Sequence, residues 1–405
     1  MLEPLYLDTA RLGRMSPKAS RASIEFARFA SEHGCTLYLS ELLEGGFDAW
    51  PSALQRQFPD LADWQGVAGL GNRLKAVANA RTDSEVAVAA RSATLMRFAA
   101  RLMTGPCRQV LLTDLTWPAY EKCLERERRT ASCNVTKLNL RQDILLNRLT
   151  ENEVIDRVVE AYIKSNCDGL FLPLIDNLGV KLPIPVIVAR IRRLAPLRFA
   201  VVDAAQAIGQ VPLELAADYC DLAIAGCHKW LRAHSPMGVA LFGHPQTRDY
   251  IQHSLIRWMR SGLIDDPLLA FSHELLYGDA QPFGETVAVA PFITSNAAAD
   301  DSLRRPDSEK HPGNCRQQLI DLAGLHNWKC ISPDDAMQSK ILLFKAKGRT
   351  TSAVCPEHVR NAFRSQGIAL STYPGPLLRM SLPEVALSEP QLTTLNTAFA
   401  GLKIP

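Results

Sequence analysis

The sequence lacks the features that mark membrane, metal-binding and nucleic-acid-binding proteins. No stretch approaches the roughly 18 apolar residues of a membrane-spanning helix, and no basic segment followed by a long apolar one opens the chain. The ten cysteines are scattered and none stands in C-x-x-C spacing, which argues against a metal site or a disulfide framework. The 45 basic and 42 acidic residues nearly balance, so neither nucleic acid nor a membrane is expected as a partner. These absences predict a soluble, cytoplasmic protein.

A phosphate-cradling G-x-x-x-x-G-K motif is also missing. A nucleotide loop requires a strand before its glycines, and Asp63-Trp-Gln65, which precedes the glycine-rich string from Gly66 to Gly71, is not a convincing strand. We therefore interpret the glycine-rich string as loop and helix ends. What the chain does have is size and apolar content. Its 405 residues, 47% of them hydrophobic, predict one large and one smaller domain.

Two short apolar runs in the middle of the chain end at charged residues. Phe199 to Val202 ends on Asp203, and Leu222 to Ala225 ends just before His228 and Lys229. Such runs are typical of parallel strands, whose carboxyl ends border ligand crevices, so Asp203 and Lys229 are expected to face one crevice. A lysine that holds an aldehyde cofactor as a Schiff base, with a carboxylate keeping the pyridine nitrogen protonated, requires this pair. A structural ion pair in the core is the alternative.

Three motifs around these residues resemble the pyridoxal-phosphate segment of the class V aminotransferase family. They are D-A-A-Q at 203–206, G-C-H-K-W at 226–230 and S-P-M-G at 235–238. The family includes cysteine desulfurases, isopenicillin N epimerase-like proteins and kynureninases. The resemblance implies an α/β fold of type I, with a mostly parallel central sheet, helices on both faces and a smaller α+β domain at the C-terminus.

The same resemblance implies pyridoxal 5′-phosphate as cofactor and assigns residues to it. Lys229 becomes the Schiff-base lysine, Asp203 the partner of the pyridine nitrogen, Gln206 a neighbour of the phenolic oxygen or the imine, and His228 a phosphate contact. One position departs from the family pattern, because Gly226 stands where many members carry Ser or Asn.

A helix predicted to start at Ser92 or Ala93 follows the apolar run that begins at Val86. Its free N–H groups and positive dipole end suit a phosphate, although Ser is also common as an ordinary N-cap. The family places its phosphate-binding loop here, which implies Ser92, Ala93 and Thr94. Trp117 follows the predicted strand at 109–113, and relatives stack a flat ring on the cofactor there. A purely structural tryptophan is the alternative.

Three further segments resemble family motifs. Asn177 lies in a stretch similar to S-N-x-x-G-x-x-x-P, with Asp176 in place of Ser, and is implied to bond the phenolic oxygen; a simple turn also explains it. Arg379 lies in an R-x-S segment and can grip a substrate carboxylate with two parallel hydrogen bonds, unless it is a structural arginine. Thr286, after an interrupting Glu285, is implied to reach the phosphate of a neighbouring subunit. That contact predicts a homodimer with active sites at the subunit interface.

The predicted domains are an N-terminal segment at 1–35, a large cofactor-binding domain at 36–280 and a small domain at 281–405. Within the small domain we expect strands at 340–345 and 368–371 and a helix at 357–365, an α+β pattern. The segment 121–165 is charged and predicted to be mostly helical.

The cofactor stabilises carbanions of many kinds, so these residues do not fix the reaction. An aminotransferase acting on an amino acid is the broadest choice. An epimerase or a C–S or C–N lyase is the alternative, and a non-catalytic scaffold is a distant one. A cysteine desulfurase is disfavoured because Gly367 to Arg379 contains no cysteine. Cys227, beside the lysine, fits a small core residue better than a nucleophile.

Overall fold

The computed structural model describes residues 4–34, 36–278, 287–305, 314–347, 355–375 and 377–402. Its helices and strands alternate along most of the chain. In order they are β1 (Leu5–Tyr6), α1 (Pro17–His33), α2 (Thr36–Gly45), α3 (Ser52–Gln57), α4 (Gly66–Val77), β2 (Val86–Ala89), α5 (Ser92–Thr104), β3 (Gln109–Thr113), α6 (Pro118–Arg128), β4 (Asn134–Leu138), α7 (Arg141–Leu145), α8 (Glu151–Lys164), β5 (Gly169–Pro173), α9 (Ile184–Leu194), β6 (Phe199–Asp203), β7 (Leu222–Gly226), β8 (Gly238–Phe242), α10 (Arg248–Arg260), α11 (Pro267–Tyr277), α12 (Ala290–Arg304), α13 (Cys315–Leu325), β9 (Trp328–Ile331), β10 (Ile341–Ala346), α14 (Pro356–Ser365), β11 (Ile368–Ala369), β12 (Ser371–Tyr373), β13 (Leu377–Ser381) and α15 (Glu389–Gly401).

The large sheet has seven strands in the order β2-β8-β7-β6-β5-β3-β4. Only β8 runs antiparallel to its neighbours. The strands β5, β6 and β7 are buried along their whole length, which explains why they are apolar runs and do not alternate with polar residues. The carboxyl ends of the parallel strands therefore meet at one edge, which confirms the predicted, mostly parallel sheet.

Helices cover both faces of this sheet. Successive side chains of a strand point to opposite faces, and along β5 Leu172 joins one apolar cluster while Phe171 joins another. The first cluster includes side chains of α1, α4, α8 and α9, and the second includes those of α5, α6 and α10. The two faces thus bury two separate cores.

A smaller domain follows at the C-terminal end. Its antiparallel sheet has the order β12-β13-β10-β9, and a third apolar cluster joins this sheet to α13, α14 and α15. The helix predicted at 357–365 is α14, and the strands predicted at 340–345 and 368–371 correspond to β10 and to β11 with the start of β12. The predicted α+β domain is confirmed.

The apolar cluster of the large domain extends further along the chain than the predicted domain boundary. Phe292, Ile293 and Ala297 of α12 belong to the apolar cluster of the large domain and pack with α1 and α4. Among the described residues the change of cluster falls between α12 and α13, after the predicted boundary at 280. The sequence did not indicate this, because the apolar partners of α12 on α1 and α4 are more than 200 residues away in the chain.

The chain between residues 5 and 16, called here the N-terminal strap, connects both domains. Leu7 bonds with its backbone to Ala369 and Ser381 of the small domain, at N···O distances of 2.9 and 2.7 Å. Further along, the Gly13 N–H donates to the His228 carbonyl at 2.7 Å. The strap therefore passes directly beside the ends of the large-sheet strands.

The segment 121–165 is mostly helical, as predicted, but it also contains β4, an edge strand with partly exposed residues. One local expectation differs from the structure. The glycine-rich string at 66–71 forms the first half of α4. Within the described part of the chain, no helix is both long and apolar enough to cross a bilayer, and no cluster of side chains could hold a metal ion.

Candidate active site

A cavity of about 510 Å³ opens at the carboxyl edge of the large sheet, where the small domain covers it. The strand ends contribute Pro173 and Asp203, the turn after β7 contributes Lys229, and the small domain contributes Tyr373 and Arg379. This is the place where open parallel sheets bind ligands. The two charged strand ends predicted to face one crevice do line the same cavity.

Asp203 and Lys229 both have shifted pKa values. Asp203 is buried and its Oδ1 accepts one hydrogen bond, from the Ala205 N–H at 2.9 Å. Burial raises the pKa of Asp203 to about 6, against the lowering effects of that hydrogen bond and of the Lys229 charge. Burial also lowers the pKa of Lys229, and the Arg379 charge adds to the lowering while Asp203 opposes it. The cavity thus favours a neutral lysine amine more than water does.

His228 has a buried nitrogen that no described residue satisfies. Its Nδ1 is without a hydrogen-bond partner in the described chain. Burial, followed by the charges of Lys229 and His234, lowers the pKa of His228 to about 4. The imidazole is therefore neutral at pH 7, and its Nδ1 is a buried polar atom next to the cavity that lacks the hydrogen bond such atoms normally make.

Gly226 makes room for that imidazole. A Cβ atom at this position would lie 2.9 Å from His228 Cε1 and 3.1 Å from its Nδ1, so a larger residue would displace the ring. The departure from the family pattern at Gly226 thus has a steric explanation, because the His228 ring occupies the space that a side chain would fill.

The N-terminus of α5 faces the cavity through Ser92 and Ala93. Its N-cap residue Arg91 makes no side-chain cap, so the first N–H groups of the helix remain open to an anion. Tyr120 donates from its hydroxyl to Ser92 Oγ at 3.2 Å and also lines the cavity. Thr94 is not among the lining residues; its N–H donates to the Arg91 carbonyl at 3.1 Å and closes the first turn.

Gln206 is fixed at both ends of its amide. Its Nε2 donates to the Ala10 carbonyl of the strap at 2.8 Å, and its Oε1 accepts from Trp230 Nε1 at 2.7 Å. Because the indole nitrogen only donates, it identifies the amide oxygen without ambiguity. One N–H of the amide is left for a ligand.

The loop after β5 is held by an unexpected acid. Asp176 Oδ1 accepts from the Leu178 and Val180 N–H groups, both at 2.9 Å, and its Oδ2 lies 3.3 Å from Arg141 Nη2. Burial raises the pKa of Asp176, while Arg141 lowers it. Asn177, next in the chain, lines the cavity. The acid that replaces the family serine therefore fixes the turn that presents Asn177.

Arg379 is almost fully buried, with 4% of its surface exposed. It donates from Nη1 to the Asn177 carbonyl at 3.0 Å and from Nη2 to Ser371 Oγ at 3.1 Å and Asp8 Oδ1 at 3.2 Å. Its Nε is buried without a partner in the described chain. The guanidinium is thus partly occupied by protein groups, and Asp8 already balances its charge.

The remaining predicted residues are Trp117 and Thr286. Trp117 lies at the start of α6, lines the cavity and has 45% of its surface exposed. Thr286 lies outside the described residues. The sequence analysis did not identify Tyr120, Arg360 or Asp8 as site residues. Tyr120 carried a detectable signal, because it stands one helical turn after Trp117 and hence on the same side of α6.

These groups fit a phosphorylated pyridine aldehyde. An uncapped helix N-terminus and an unsatisfied imidazole nitrogen suit a phosphate. A buried carboxylate suits a protonated ring nitrogen, and a lysine whose pKa is lowered suits an aldehyde. All of these groups border the same cavity, at the carboxyl edge of the large sheet.

A family model described as aminotransferase class-V matches residues 72–376. By sequence, no curated protein matches the chain. Solved structures with the same fold include ureidoglycine–glyoxylate aminotransferase from Bacillus subtilis, with 14% identity, a TM-score of 0.68 and coverage of 100% of this chain and 95% of that one. They also include cysteine desulfurase CsdA from Escherichia coli, with 15% identity, a TM-score of 0.66 and coverage of 98% and 94%.

A third is pyridoxamine–pyruvate aminotransferase from Mesorhizobium loti, with 14% identity, a TM-score of 0.66 and coverage of 98% and 92%. These likenesses confirm the fold predicted as type I. The family match extends over most of the chain and includes Asp203, His228 and Lys229. The protein belongs to the aminotransferase class-V family and is a pyridoxal 5′-phosphate-dependent enzyme that acts on amino acids.

Proposed function

We propose that the protein is an aminotransferase acting at the α-carbon of an amino acid, and that Lys229 binds the cofactor covalently. The observation that carries the proposal is the convergence of Lys229 and Asp203 on one cavity from neighbouring strand ends. A structural ion pair in the core would not require a cavity beside it.

The cofactor, when bound, supplies an electron sink that stabilises negative charge at the α-carbon. Asp203 is mostly ionised above pH 6, so at neutral pH its carboxylate can hold a proton on the ring nitrogen. Lys229 would take the α-proton on Nζ and, in a transamination, would deliver it to the carbon that carried the aldehyde; its lowered pKa favours the amine form that accepts a proton. One residue thereby supplies both the attachment point and the base.

On the phosphate side, the N–H groups at Ser92 and Ala93 would hold the phosphate together with His228 Nδ1. The neutral imidazole would donate a hydrogen bond to the phosphate in the tautomer that carries its proton on Nδ1. Thr94 supports the same loop by closing the first turn of α5. Trp117 would lie against the cofactor ring.

On the opposite side, Asn177 and Gln206 would contact the phenolic oxygen. Arg379, which lines the cavity, would bind the substrate carboxylate with two parallel hydrogen bonds. A homodimer with shared active sites also belongs to the proposal, and it depends on Thr286.

Sulfur transfer to a protein cysteine has no support in the cavity. No cysteine is among its described lining residues. Cys227 is fully buried, and burial raises the pKa of its thiol to about 12, so it is protonated at neutral pH. These properties disfavour a cysteine desulfurase reaction.

Transfer of a labelled amino group tests the proposal. The purified holoenzyme is incubated with ¹⁵N-labelled amino acids and either unlabelled pyruvate or unlabelled 2-oxoglutarate, and ¹⁵N-alanine or ¹⁵N-glutamate is measured with the new keto acid by mass spectrometry. Equal amounts of both products support an aminotransferase. Exchange of the α-hydrogen without a keto acid would instead identify an epimerase, and release of labelled ammonia would identify a lyase.

A further inference from the structure

Arg360 contributes a cation to the cavity from the small domain. It lies on α14, which packs against β12, and Thr372 Oγ1 of β12 donates to the Pro356 carbonyl in the first turn of that helix at 2.7 Å. Arg360 follows Pro356 by four residues and so lies on the same side of α14. Arg360, Thr372 and Tyr373 all line the cavity.

The guanidinium of Arg360 has no strong partner in the described chain. Its one ion pair is with Glu357, at 3.4 Å between Nη2 and Oε1, and the two side chains are 43% and 68% exposed. An exposed pair of this kind contributes little and is easily exchanged for another anion. Arg360 is therefore available to a ligand.

Most other charged residues at the cavity have assignments that leave Arg360 aside, and Arg11 of the strap is a second exposed cation on the lining. Asp176 is bonded by backbone N–H groups and Arg141, and Asp8 balances Arg379. Asp203 and Lys229 are committed to the cofactor in the proposed function. A substrate with only one carboxylate, bound at Arg379, would leave Arg360 paired only with the exposed Glu357 at the cavity wall.

We propose that Arg360 binds the distal carboxylate of a dicarboxylic substrate, so that the site selects acidic amino acids and their keto acids over neutral ones. The amino-acid part of this inference rests on the proposed function. The anion-binding part does not, because a dicarboxylate without an amino group can bind to Arg360 and Arg379 without any reaction. Arginine suits this task because it presents several N–H donors in a planar fork.

The test uses unreactive acids matched in length. Succinate and butyrate, and glutarate and pentanoate, are titrated into the holoenzyme by calorimetry at low ionic strength. We expect at least one diacid to bind about tenfold tighter than its monoacid, and Arg360→Gln to remove this advantage while leaving monoacid binding unchanged. Arg364→Gln is the matched control, because Arg364 lies on the same helix, is exposed and does not line the cavity.

Two further measurements keep the outcomes separate. Arg360→Lys preserves the charge without the fork and should retain part of the diacid preference, whereas a fold defect would weaken monoacid binding as well. In turnover, Arg360→Gln should lower kcat/KM for aspartate or glutamate at least tenfold relative to alanine. Diacids that bind no tighter than monoacids, or an equal effect of Arg364→Gln, would overturn the inference. Diacid selectivity without amino transfer would overturn the proposed function alone.

Discussion

The cavity has two walls, and the protein satisfies the polar groups of each to a different degree. On the wall of strand ends, Asp203 accepts one hydrogen bond, and His228 Nδ1 has no partner in the described chain. On the small-domain wall, Arg379 donates to three protein acceptors, among them Asp8. Buried groups without partners destabilise a fold, so the first wall is complete only with a ligand. On the second wall Arg379 is largely satisfied by the protein itself, while Arg360 has only an exposed partner.

Removal of the lysine is the most severe change to the first wall. Lys229→Ala should abolish covalent retention of the cofactor and lower turnover by about a thousandfold or more, because it removes both the attachment point and the base. Borohydride reduction followed by mass spectrometry should add the cofactor mass to the wild type and not to the variant. Lys137→Ala, a surface change beyond the cavity lining, should behave like the wild type. Cofactor mass on the variant would refute the assignment.

Asp203→Ala should lower turnover far more than cofactor content. In the proposed function the carboxylate keeps the ring nitrogen protonated, and loss of such electrostatic support costs about a hundredfold or more in rate. Cofactor content is measured after alkaline release, and turnover is measured by keto acid production. If both decline in equal proportion, Asp203 acts in binding and not in the electronics of the reaction.

The second wall should respond to Asp8→Asn in stability. Asp8 and Arg379 form a buried ion pair at 3.2 Å, and the substitution leaves the guanidinium without a counter-charge. We expect the free energy of unfolding to fall by about 2–4 kcal/mol, measured in urea. An unchanged midpoint and slope would mean that Arg379 is stabilised without Asp8, and the contrast between the walls would disappear.

On the first wall, substitution of Asp203 should instead raise the free energy of unfolding of the apo-protein. Because the folded pKa of Asp203 is raised to about 6, the protein retains this proton more tightly than the unfolded chain, and stability is lost as pH rises from about 4 to about 6. Asp203→Asn removes this loss, so the apo-variant should exceed the wild type by roughly 2–3 kcal/mol at pH 7.5 at 1.36 kcal/mol per pKa unit. The measurement is urea unfolding across pH 4 to 8. A constant difference across that range would contradict the shifted pKa.

The smallest effect concerns the space beside His228. Gly226→Ala places a Cβ atom 2.9 Å from the ring, so the imidazole must move. We expect a loss of about 1 kcal/mol in stability and a few-fold weaker cofactor binding. Gly324→Ala, where a Cβ would meet nothing within 4 Å, is the matched control and should be neutral or slightly stabilising. Equal behaviour of the two variants would show that the ring adapts freely.

Much of the first wall could be predicted from sequence, because its residues follow buried strands. Apolar runs predicted β3, β6 and β7 within one residue, and the charges after them lie at one edge of the sheet. The edge strand β4 was missed because its side chains are half exposed and carry no apolar run. The local sequence pattern is informative for strands that are buried on both faces, because their burial requires an apolar run.

The second wall was harder to predict, since it depends on tertiary contacts. Asp8 and Arg379 are 371 residues apart, and no local pattern connects them. Arg360 lies on an amphipathic helix among other charged residues, and only the packing of α14 on β12 distinguishes it from Arg364. The family motif pointed to Arg379 but not to the partners that partly occupy it.

The N-terminal strap gives the first residues of the chain an importance that the family match does not convey. The matched range, 72–376, omits both Asp8 and Arg379, together with the Ala10 carbonyl that fixes Gln206. A shortened expression fragment cut to that range would keep Lys229 and lose Arg379, the residue proposed to orient a substrate beside it. Trimming or fusion at the amino terminus therefore alters contacts of residues that line the cavity, and requires the same controls as a point substitution there.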